Sequence, residues 1–107
     1  MTNFISTGST YWISDEEIQI LEKNATNGDK NSAFKLYQYH MFVSLDQDLE
    51  FKWLEIAAKN GHPIAQSNLA DLFFTQGNKE KAIFWAKKAY TNGAKLPDEL
   101  KILININ

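Results

Sequence analysis

His40 and His62 are the chain's only imidazoles, and the sequence contains no cysteine. A transition-metal site needs three or four donors at set spacings. Neither histidine sits in a His-Glu-x-x-His run or anything comparable. His62 follows Gly61 at the start of a helical stretch and His40 falls on an apolar stripe, so both are expected to be structural. Without cysteine, disulfides and thiolate nucleophiles are excluded. The five glycines, at 8, 28, 61, 77 and 93, are scattered and form no phosphate-cradling loop. Asp15-Glu16-Glu17 could in principle supply paired carboxylates. At a helix N-terminus, however, the backbone dipole already accounts for them. Asp46 and Asp48 read as helix caps, with contact to a basic partner as the alternative. No serine has a base at a recognisable spacing. The expectation is a protein with no catalytic site, no metal and no cofactor.

Charge narrows the partner class. The 107 residues carry net −2, and all 11 basic residues are lysine. Nucleic-acid binding calls for a basic face, and bidentate phosphate recognition calls for arginine, so nucleic acid is not expected as a partner. Residues 1–54 are net −4 and residues 55–107 net +2. That asymmetry is either two solvated faces or a weak steering dipole. No apolar run approaches the ~20 residues needed to span a bilayer, and the N-terminus lacks the basic and apolar regions of a secretory signal. A cytoplasmic protein with no membrane contact is expected.

The elements that position these residues come from an internal repeat. Asn27-Gly28, Asn60-Gly61 and Asn92-Gly93 recur at spacings of 33 and 32 residues. Counting back eight residues from each glycine gives Ile20, Trp53 and Trp85. Seven back gives Leu21, Leu54 and Ala86, four back Asn24, Ala57 and Ala89, and three back Ala25, Ala58 and Tyr90. These offsets share one helical stripe. Counting forward, Ser32 and Ala65, Leu36 and Leu69, and His40 and Phe73 match at four, eight and twelve residues. Helices are predicted at about 14–27, 30–43, 48–60, 63–76 and 79–92. A glycine closes the first, third and fifth, and Gly77-Asn78 breaks the fourth from the fifth. Ser14 to Glu17 has the form of a capping box, with Ile13 and Ile18 as its hydrophobic staple. Pro63 suits a first helical turn, and Pro97 starts a short sixth helix. The fold class is therefore all-α, a single domain over 1–107 with an irregular lead-in (1–13), repeat helices (14–93) and a C-terminal cap (94–107). The apolar tail Lys101 to Ile106 either covers helix five or forms a dimer contact, so monomer and homodimer both stay open.

The segments Ala57-Ala58-Lys59-Asn60-Gly61-His62-Pro63-Ile64-Ala65-Gln66-Ser67-Asn68-Leu69-Ala70 and Lys81-Ala82-Ile83-Phe84-Trp85-Ala86-Lys87-Lys88-Ala89 resemble the Sel-one-like repeat, a relative of the tetratricopeptide repeat. The likeness is to small, stand-alone bacterial members. It covers about residues 28–93 and is strongest over 53–93. Ser32, Tyr37, Ser44 and Glu50 depart from the pattern; Ser44 stands where a glycine is usual. The resemblance implies a short right-handed α-solenoid of antiparallel helix pairs, about two repeats plus capping helices, used for protein–protein contact. The expected core is Leu36, Trp53, Leu54, Ala57, Leu69, Phe73, Ala82, Trp85 and Ala89. Truncating Trp85 is expected to unfold the domain, since removing a buried tryptophan costs about 3–5 kcal/mol.

A binding surface should show large side chains that the repeat does not require. Phe84 has Gln19 and Lys52 as its counterparts, Phe42 has Thr75, and Tyr37 replaces a small residue. Tyr37, Phe42 and Phe84, flanked by Lys87 and Lys88, are the candidate partner-binding residues. An end cap, an irregular core and solvated lysines are the alternatives. The functional expectation is non-enzymatic binding of another protein. Its most specific form is an immunity or inhibitor protein against a cognate toxin or enzyme, such as a toxin encoded nearby; an adaptor or scaffold is the second form.

Overall fold

The computed structural model describes residues 10–106. Six helices follow one another, with no strand among the described residues: α1 (Asp15–Thr26), α2 (Lys30–Tyr39), α3 (Gln47–Lys59), α4 (Pro63–Thr75), α5 (Lys79–Thr91) and α6 (Asp98–Leu103). A π-helical turn, His40–Ser44, continues α2. Among these residues no helix is long and apolar enough to cross a membrane.

Helix starts are set by local side-chain chemistry. Ser14, Asp29, Asp46, His62 and Asn78 each accept a backbone N–H of the first turn that follows. Such caps satisfy amides that have no partner within the helix. The box expected at α1 forms by half. Ser14 Oγ accepts from Glu17 N at 3.2 Å, while the Glu17 carboxylate reaches Lys35 Nζ at 3.4 Å instead of turning back. Helix ends repeat one pattern. At the close of α3, His62 N donates to Ala57 O and Gly61 N donates to Ala58 O, both at 3.0 Å. The same pair of bonds closes α1, α4, α5 and α6, with Asn105 in the glycine's place at the last.

One end departs from the pattern, and it explains the unequal repeat. Gly61, Gly77 and Gly93 are 16 residues apart, and so are Leu45 and Gly61, but Gly28 and Leu45 are 17 apart. Leu45, at φ 56°, takes the left-handed position expected at Ser44. A π-turn accommodates one extra residue within a helix, and here it does so between His40 and Ser44.

Each helix packs on the next. The α2–α3 and α4–α5 pairs are the most extensive, and α1 also touches α3. The stack measures 49 × 32 × 23 Å. Leu36, Leu54, Ala57, Leu69, Phe73 and Ala82 lie in one buried cluster with Trp53, which is 3% exposed. Ala86 and Ala89 lie in a second cluster with Ala70, Leu96 and Leu100. Leu96 and Leu100 thus hold the segment that follows α5 against it.

Candidate functional site

The outer face of α5 is built by helical spacing. Ala82, Ala86 and Ala89 turn inward and are fully buried, and their small side chains let α5 lie close against its neighbours. Glu80, Phe84, Lys87, Lys88 and Thr91, spaced three and four apart, therefore face out, and the structure exposes all five. Phe84 is 52% exposed at the middle of this stripe. Its ring meets Trp85 edge-on at 5.1 Å, and Lys88 Nζ stands 5.3 Å from its centroid. A cation over an aromatic face is favourable, by about 0.5–1 kcal/mol at an exposed site.

Beside Phe84 lies an open groove of about 520 Å³. Its lining includes Ala58, Gly61, Phe84, Trp85, Lys88 and Asn92. Asn92 is fixed there: its Nδ2 donates to Gln66 Oε1 at 2.9 Å, and Gln66 Nε2 donates to Ala58 O at 3.0 Å. The end of α5 is thereby tied through buried Gln66 to the end of α3. The Asn-Gly pattern in the sequence marks Asn92 as a helix end but carries no signal for its bond to Gln66. Two ion pairs occur among the described residues, Lys35–Glu17 and Lys59–Glu55. None of the four lysines of α5 pairs with a carboxylate there. A larger hollow, about 700 Å³, borders Ile64, Asn68, Asp71, Ala94 and Lys95. Its rim carries one acid and one lysine, so it favours neither sign of partner.

The other expected site residues separate from this face. Tyr37 is a correction: it is only 6% exposed and belongs to the core, unavailable to a partner. Its ring packs near Phe34 at 5.3 Å, and its hydroxyl accepts from Asn68 Nδ2 at 3.3 Å. That partner lets the phenol be buried; burial also pushes its pKa up. Phe42 is 42% exposed and stacks on Tyr11 at 4.4 Å, so the lead-in covers part of it. Phe42 and Phe84 thus have different neighbours and form two patches.

Four stripe residues also differ from expectation: Trp85 is half-buried, Asn24 and Tyr90 are exposed, and Ile20 is 60% exposed. Ile20 is the counterpart of Trp53, but no helix precedes α1 among the described residues to cover it.

The histidines sit in packed surroundings. His62 Nδ1 accepts from Ala65 N at 3.2 Å, and its ring stacks on Phe34 at 4.1 Å. Burial, then the charge of Lys30, lowers its pKa. His40 Nδ1 lies 2.7 Å from Ser44 Oγ across the π-turn, while its buried Nε2 has no partner among the described residues. Burial lowers its pKa as well, against the opposing pull of Asp46 and Glu22. Among the described residues no three histidine or carboxylate side chains gather as a metal site.

No protein-family model matches the chain, and no solved structure matches it. It is 34% identical over 95 residues to the uncharacterized protein YibG of Escherichia coli (strain K12). That alignment covers 82% of this chain, and the chain spans 62% of the length of YibG.

Proposed function

We propose that this protein acts without catalysis by binding another protein, and that it is an inhibitor of the immunity type, neutralising a cognate toxin or enzyme through a tight complex of fixed stoichiometry. Phe84 carries this reading. An aromatic ring half open to water, with an ammonium over it and a groove beside it, contributes little to the fold. Aromatic side chains at the centre of a patch are the residues that dominate protein–protein affinity. Lys87 and Lys88 supply charge around that centre without a competing ion pair within the described chain. The helices are read as a short right-handed α-solenoid; the repeated helix ends at 16-residue intervals and the sequential packing support that.

A scaffold is the second reading, and the separate Tyr11–Phe42 patch favours it, because two surfaces can hold two partners. Affinity capture from the source cell, with the stoichiometry of any complex measured, decides between them. The inhibitor reading expects one partner at fixed ratio, lost with Phe84→Lys and kept with Phe42→Lys while both variants stay folded. Different partners lost by the two variants would establish the scaffold. A one-to-one complex indifferent to Phe84→Lys would remove α5 as the binding face.

A further inference from the structure

We infer that the outer face of α5 also receives α1 of a second copy of this chain, giving head-to-tail association. The two helices lie toward opposite ends of the stack: α1 packs on α2 and α3, and α5 packs on α4 and α6. Their charges are opposite and equal. Asp15, Glu16, Glu17 and Glu22 against Lys23 leave α1 at −3, and four lysines against Glu80 leave α5 at +3. Of α1's carboxylates only Glu17 has an ion-pair partner among the described residues, and α5's lysines have none.

Each face also carries an exposed apolar side chain, Ile20 on α1 and Phe84 on α5. Ile20 occupies the repeat position at which Trp53 is buried. A second copy presents an acidic helix to the basic one and an aliphatic side chain to the aromatic one. Because different surfaces meet, association closes a ring or extends a chain rather than forming a two-fold pair.

Sedimentation velocity on the purified full chain tests this. In low salt the wild type should gain mass with concentration and return to monomer toward about 1 M salt, where screening acts within about 3 Å. Charge reversal on α5 (Lys87→Glu with Lys88→Glu) and on α1 (Glu16→Lys with Gln19→Lys) should each leave monomers when alone. Mixing the two variants should restore association as a one-to-one complex, because the unaltered α1 of the first then meets the unaltered α5 of the second. Ile20→Lys should abolish association by itself. Circular dichroism melts near wild type confirm that the variants fold. A wild type that stays monomeric in low salt, association that survives both reversals, or a mixture that stays monomeric would each overturn the inference.

The same α5 face serves the proposed partner, so the two readings predict competition between self-association and partner capture, and they fail separately. A monomeric protein whose partner is lost with Phe84→Lys keeps the functional proposal and ends this one. Self-association without any captured partner does the reverse.

Discussion

Gly61→Ala and Leu45→Gly should move stability in opposite directions, and their sizes follow from the helix ends. Gly61 sits at φ +96°, and a Cβ built there meets no atom within 4 Å. The cost of Gly61→Ala is therefore conformational rather than steric crowding by neighbours. A left-handed conformation costs an L-residue about 1–2 kcal/mol. Alanine returns about 0.4–1 kcal/mol of that by narrowing the unfolded chain. The net loss is about 1 kcal/mol. Leu45 holds the equivalent position at φ 56° with a β-carbon already in place, and it is 72% exposed. Leu45→Gly relieves the backbone cost and gives back the unfolded-chain term. It also loses the small buried share of a leucine side chain, about 0.5 kcal/mol from a full burial of about 2. At the mid-values the outcome is a gain of about 0.3 kcal/mol. Urea unfolding of both variants, with unchanged m-values, reads these differences directly. In thermal melts 1 kcal/mol corresponds to about 4–8 °C for a domain of this size. A clear loss on Leu45→Gly, or no loss on Gly61→Ala, would refute the assignment of Leu45 to the repeated helix-end position.

Acid should destabilise the fold through its histidines. Both have folded pKa values below the ordinary 6.5, so the unfolded state binds more protons. Their stabilising contribution is complete above about pH 6.5 and is lost as pH falls from there through the folded values. Urea midpoints from pH 8 to pH 5 should decline. His62→Asn keeps an N-cap acceptor and should flatten part of the slope; midpoints that hold or rise toward pH 5 would contradict this. The tryptophans should rank in the order of their burial. Trp53→Ala should cost about 3–5 kcal/mol, and Trp85→Ala, at a half-buried ring, clearly less; equal losses in urea unfolding would show that exposure is not what separates them.

The candidate site was legible in part. Phe84 stands out in the sequence because the repeat supplies Gln19 and Lys52 at the matching positions, and Lys87 and Lys88 enter as the residues that flank it. Tyr37 met the same criterion and lies in the core, because the criterion detects departure from the pattern and not exposure. A bulky side chain can depart inward when a group such as Asn68, 31 residues away in sequence, is placed to meet its hydroxyl.

Helix limits were determined by the sequence itself, because caps are local. Asp29, His62 and Asn78 bond amides two or three residues ahead, and the glycine-type ends close on carbonyls three and five residues back. The inward stripes of Leu36, Leu69, Ala57 and Ala89 were determined in the same way by helical period. Tertiary structure alone decided which stripe positions are covered. Ile20 and Trp53 share an offset, yet one is open and the other buried, because coverage requires a neighbouring layer and no helix precedes α1 among the described residues. It also decided where the extra residue of the first repeat goes. A 17-residue interval can be absorbed in the loop or in the helix, and the π-turn at His40–Ser44 takes it within the helix, which moves the left-handed position from Ser44 to Leu45.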